Sequence, residues 1–80
     1  MKKMLTKNEI IALEKLGIQI KKIRIKNNMT QKDLSKLIGI SKQSISAIEC
    51  GKQMPSYGTL ILFVKAFNMT MSDFFKDFEE

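Results

Sequence analysis

Residues 29–51, MTQKDLSKLIGISKQSISAIECG, decide how this chain folds. Thr30 and Asp33 have the spacing of a capping box, in which each side chain satisfies the other residue's backbone N–H. Met29 and Leu34 sit where a hydrophobic staple would close over that box. Leu34, Leu37 and Ile38 then share one helical face, and Gly39 supplies the left-handed residue that stops a helix. The pattern restarts at once. Ile40 is the next staple, Ser41 the next N-cap, and Ile45 and Ile48 point to one side until Glu49-Cys50-Gly51 ends the segment. The stretch therefore predicts two short helices joined by a tight turn. The outer face of the second carries Lys42, Gln43, Ser46 and Ala47, all small or able to hydrogen-bond.

The flanks repeat the same signals. Thr6 and Glu9 form another capping-box pair with Leu5 and Ile10 as its staple, starting a helix that runs to Asn27-Asn28. Leu13, Leu16, Ile20 and Ile23, at spacings of three and four, share one buried stripe. Gly17 interrupts that stripe at a cost of ~1 kcal/mol relative to alanine, which close approach of another helix would explain. After Gly51 comes a loop ended by Pro55, the only proline. Ser56 caps a fourth helix with the stripe Leu60, Phe63, Val64 and Phe67, closed by Asn68. Thr70 and Asp73 cap a fifth helix that bears Phe74, Phe75 and Phe78. No stretch alternates with period two for long enough to make a strand. The expected fold is all-α, a bundle of five helices over 13–78 in a single domain of 80 residues, with 1–12 as an N-terminal extension. That extension either lengthens the first helix or forms a separate turn.

Composition narrows the function. With 44 % hydrophobic and 28 % charged residues the chain reads as globular, and no apolar run is long enough to cross a bilayer. The basic start at Lys2-Lys3 is followed by polar Thr6 to Glu9, not by the apolar core of a signal peptide, so the expected location is the cytoplasm. Residues 1–52 hold twelve Lys or Arg against four Asp or Glu, and residues 53–80 hold two against four. A basic front and an acidic back suit a polyanion on one side. Histidine is absent and Cys50 is the only cysteine, so neither an internal disulfide nor a Cys–His pair can form. With no phosphate-cradling glycine loop and no metal-ligand cluster, no cofactor, metal site or enzymatic activity is expected. Cys50 is read as a small, partly buried helix-ending residue, and the methionines as core filler.

Two short helices joined by a glycine-containing turn make a helix-turn-helix. The order T-Q-x-x-L-S-x-x-x-G-I-S-x-x-x-I-S-x-I-E-x-G over residues 30–51, followed by Pro55-Ser56, resembles the phage-repressor or Cro-like (XRE) helix-turn-helix family of DNA-binding proteins. The resemblance extends from about Leu16 to Phe75. It implies that the helix-turn-helix is formed by the second and third helices and that the family's base-reading positions fall on Lys42, Gln43, Ser46 and Ala47. The chemistry of these residues agrees: glutamine pairs two-pronged with adenine, and lysine favours guanine acceptors or a phosphate. Serine bonds several bases, and alanine meets a thymine methyl. The resemblance also places Gln31, Ser44 and Lys52 on the sugar-phosphate chain. For Gln31, the N–H groups and dipole at a helix start favour an anion in the same way. It further implies a structural ion pair between Arg24 and Glu49, fixing how the reading helix projects.

Three phenylalanines on a short last helix exceed what so small a domain easily buries. Phe74, Phe75 and Phe78, with Phe67 and Tyr57 beside them, are therefore expected to form a two-fold homodimer contact. The resulting reading is a transcriptional regulator, a repressor binding double-stranded operator DNA of near-palindromic sequence. The rival reading is a protein-interaction module, such as an antitoxin holding a partner through its C-terminal helix. Changing Gln43 should separate the two, since only the regulator needs it.

Overall fold

The computed structural model describes residues 5–76. Five helices follow one another: α1 (Lys7–Lys26), α2 (Gln31–Ile38), α3 (Lys42–Glu49), α4 (Tyr57–Ala66) and α5 (Met71–Phe75). Among the described residues there is no strand. Each helix start is fixed by its own neighbours. The hydroxyls of Thr6, Thr30 and Thr70 accept from the N–H groups of Glu9, Asp33 and Asp73, whose carboxylates accept the cap residues' own N–H groups at 2.8, 2.9 and 3.4 Å. Ser41 and Ser56 accept from the N–H groups of Ser44 and Thr59 at 3.1 Å. Asn28 and Asn68 take left-handed backbone after α1 and α4, each with φ of +58°. Gly39 does the same after α2 at φ +74°. A Cβ there would meet nothing within 4 Å, so conformation and not space calls for glycine.

Residues 7–12 of the N-terminal extension prolong α1 and do not form a separate turn. Leu13, Ile20 and Ile23 are buried along it, with Leu16 packed partly beneath. Gly17 is where α1 crosses the end of α3. A Cβ at this position would fall 2.6 Å from the carbonyl oxygen of Glu49 and closer still to that of Ile48. The ~1 kcal/mol penalty of glycine inside a helix is thus offset by an approach that no other residue permits. Ile20, Ile23, Leu34, Ile45, Ile48, Phe63, Val64, Phe67 and Phe74 form the core.

Two expectations about faces are corrected here. Leu37, assigned to the apolar side of α2, is 60 % exposed, while Leu34 on the same stripe is fully buried. The apolar stripe of α2 is wider than the contact α2 makes with its neighbours, so its edge stays in solvent. Phe74, assigned to a dimer contact, is fully buried, and Phe67 is 3 % exposed. The turn at Asn68 folds α5 back, and Gln19 on α1 donates its side-chain N–H to the Phe74 carbonyl at 3.3 Å. α5 packs against α4, and Phe74 joins a core cluster to which α1, α2, α3 and α4 all contribute. Phe75 meets Phe74 edge-on with ring centroids 5.0 Å apart and remains 38 % exposed. Tyr57 is exposed, and Phe78 lies outside the described residues.

Candidate nucleic-acid interface

The amphipathic pattern of α3 sets which side faces outward. Ile45 and Ile48 are buried against the core, so Lys42 and Gln43 must stand in solvent, with Ser46 and Ala47 half-buried one turn on. These four line one open groove together with Gln31, Cys50 and Lys52. The structure thus brings the four expected base-reading residues to a single surface, joined by two of the three expected phosphate residues. Ser44, the third, is half-buried on the first turn of α3 and lies outside this groove. The backbone N–H groups of Gly51 and Lys52 are spent inside the protein, donating to the carbonyls of Ile48 at 3.1 Å and Ala47 at 2.9 Å. Lys52 can therefore reach a ligand only through its side chain.

The far end of α3 is tied down. Arg24 Nε donates to Glu49 Oε2 at 2.7 Å and a terminal Arg24 nitrogen donates to Glu49 Oε1 at 3.1 Å, a two-pronged pair with side chains only 10 % and 2 % exposed. The other terminal nitrogen of Arg24 donates to the Met29 carbonyl at 2.7 Å, just ahead of the α2 cap. One guanidinium thereby joins α1, the entry to α2 and the exit of α3. Gln31 adds a further bond, its Nε2 donating to Glu49 Oε1 at 3.0 Å. Composition could not have revealed this last contact, since Gln31 and Glu49 lie 18 residues apart and on different helices. No buried side-chain nitrogen or oxygen among the described residues is left without a partner.

The two helix starts beside the groove differ in charge. At α2, Asp33 sits in the first turn, and the Thr30 N–H and hydroxyl hold its carboxyl below the usual carboxylate range. At α3 the first turn contains no acid, and Lys42 opens it. The partial positive charge of a helix start is thus already answered at α2 and unanswered at α3. Among the described residues no group of three or more His, Cys, Asp or Glu is placed to hold a metal ion, and no helix is long and apolar enough to cross a membrane.

The sequence model of the helix-turn-helix family matches residues 20–74. The chain belongs to that family. It is 40 % identical over 57 residues to an uncharacterized HTH-type transcriptional regulator of Methanocaldococcus jannaschii, spanning 71 % of this chain and 86 % of that one. It is 33 % identical, over the same length and the same shares of each chain, to the uncharacterized HTH-type transcriptional regulator YgzD of Bacillus subtilis. Among solved structures it is similar to the restriction–modification controller protein C.Esp1396I, at 33 % identity and a TM-score of 0.75 over 80 % of this chain and 84 % of that one. The same controller protein has been crystallised as a tetramer in complex with its natural 35 base-pair operator, and there the TM-score is 0.74 at 33 % identity over 80 % and 84 % of the two chains. The family model's match runs from Ile20, within α1, to Phe74, within α5.

Proposed function

We propose that this chain is a sequence-specific regulator of transcription that binds double-stranded DNA, and that it represses as a homodimer on a near-palindromic operator. One observation carries the reading: Lys42, Gln43, Ser46, Ala47 and Lys52 line one solvent-open groove on a helix whose other end is locked into the core. In this reading Lys42 and Gln43 read base edges in the major groove. Ser46 and Ala47 contact bases one turn further along, and Ser44 and Lys52 hold the phosphates on either side. The uncompensated start of α3 favours the same anion. Occupying operator DNA would exclude polymerase, which is repression without a catalytic step, carried out in the cytoplasm where the DNA lies. The controller protein bound as a tetramer to its operator supports both a DNA ligand and more than one copy of the chain.

Within the dimer, Phe75 takes the contact that Phe74 cannot, being partly exposed where Phe74 is enclosed. Two reading helices would then face successive major grooves about 34 Å apart. The interaction-module reading draws less support, because Phe74 is committed to the fold. Selection of bound sequences from a random DNA pool tests the proposal. It should enrich a site with two-fold symmetry, and log affinity for that site should fall linearly with log salt by about 0.9 per phosphate neutralised. A pool that enriches nothing, or a nearly flat salt response, overturns it. Phe75→Ala should weaken self-association in sedimentation and leave helical content intact.

A further inference from the structure

Acidic side chains are few among the described residues, and nearly all of them hold structure. Glu9, Asp33 and Asp73 close the capping boxes of α1, α2 and α5, and Glu49 is paired with Arg24. The remaining described acid is Glu14, exposed on α1. Its helical neighbours three and four positions away are Ile10, Ile11, Gly17 and Ile18, none of which carries a charge to pair with it. What Glu14 does touch is the turn after α3. A Cβ built on Gly51 would stand 3.1 Å from both the Cα and the Cγ of Glu14. Leu13 and Leu16, which flank Glu14, line one apolar pocket with Pro55 and Leu60, so α1 is fixed against this turn. Neither N–H of the turn can answer the carboxylate, since Gly51 and Lys52 donate theirs to Ile48 and Ala47. The turn is also open to solvent: Cys50, expected to be partly buried, is exposed. A negative charge with no structural task is thus held beside the residue that precedes Lys52.

We propose that Glu14 is a counter-charge that limits how tightly the Lys52 turn grips a DNA phosphate. Lys52 reaches a ligand through its side chain, which sets a bound phosphate on the order of 10 Å from the Glu14 carboxylate. That is about one Debye length at ~0.1 M salt, so the repulsion is felt but modest. A chain of formal charge +6 draws affinity for any duplex from its lysines, and Glu14 subtracts from that affinity where a phosphate comes close. Phosphates are alike in every sequence, so the subtraction is the same on all DNA. A smaller part of the total affinity then comes from contacts that carry no sequence information. The inference rests on the DNA-binding reading above.

The test titrates the full chain onto the selected duplex and a random duplex at about 0.1 M and about 0.3 M salt. The wild type comes first: if it fails to distinguish the two duplexes, the DNA-binding reading itself fails, whatever Glu14 does. Given a discriminating wild type, Glu14→Gln should tighten binding to both duplexes by about twofold per chain at the lower salt, and by less at the higher. Glu14→Lys, which changes the charge by two, should tighten it by about fourfold per chain. Glu14→Asp keeps the charge and should bind as the wild type does. Combined with Lys52→Met, the gain from Glu14→Gln should largely disappear. The thermal midpoint of Glu14→Gln should match that of the wild type. An undiminished gain beside Lys52→Met would reduce Glu14 to one unit of net charge and overturn the assignment. So would tightening on the selected duplex alone, no tightening at all, or a Glu14→Gln variant that loses its fold.

Discussion

The two ends of α3 are built on opposite principles. At its exit Glu49 is enclosed, with Arg24 and Gln31 donating three hydrogen bonds and α1 pressed against the last carbonyls at Gly17. At its entry Lys42 and Gln43 stand in solvent, and the Ser41 hydroxyl accepting the Ser44 N–H is what holds the first turn. An element proposed to enter a DNA groove cannot be packed where it enters. Its orientation has to be set from the other end. The difference teaches that changes at the exit should appear first as stability, and changes at the entry only as recognition.

The largest effect should come from cutting the exit. Glu49→Ala leaves the Arg24 guanidinium buried without its carboxylate, and urea unfolding should show a loss of ~3–5 kcal/mol. A loss under ~1 kcal/mol would put the pair in the class of solvated surface bridges and dissolve the contrast between the ends. Gly17→Ala tests the same end by crowding. The added methyl meets backbone carbonyls that cannot rotate away, so overpacking of ~1–3 kcal/mol should outweigh the ~1 kcal/mol gained in helix propensity. A higher thermal midpoint for this variant would show that α1 and α3 can separate without cost.

At the entry the sign of the experiment reverses. Gln43→Ala should unfold within about 0.5 kcal/mol of the wild type. It should lose ~1–3 kcal/mol of discrimination at the base pair that it reads. If its discrimination stays intact, the reading face lies elsewhere. The smallest effect belongs to Asp33 at the neighbouring start of α2. Its carboxyl is held below the ordinary value of 3.8 by the Thr30 N–H and hydroxyl. The stabilisation this carboxylate provides is present in full above that ordinary value and is lost as pH falls through the lower folded-state pKa. The stability gap between the wild type and Asp33→Asn should therefore be level near neutrality and close in acid, as read from urea midpoints across pH.

Much of the fold was legible because caps are local. Thr6 with Glu9, Thr30 with Asp33 and Thr70 with Asp73 satisfy each other across three residues, so their spacing alone starts a helix wherever the chain goes next. The residues on the outer face of α3 were legible for a related reason. Once Ile45 and Ile48 point inward, helical period places Lys42 and Gln43 outside. The family pattern also implied the Arg24–Glu49 contact, which spacing could not have supplied.

Burial depth was harder to read. Leu34 and Leu37 have the same chemistry and stand three residues apart, yet one is fully buried and the other 60 % exposed. Phe74 and Phe75 are identical neighbours, and only one of them enters the core. Such outcomes depend on which strip of each helix a neighbour covers, a property of the assembled bundle and not of any single segment. By itself, then, the sequence determined where helices start and stop and which residues line the face of α3, since those follow from bonds spanning three or four positions. Only the tertiary structure decided which phenylalanine is committed to the core and that the Gln31 amide serves Glu49. Both depend on surfaces that meet only after distant segments pack together.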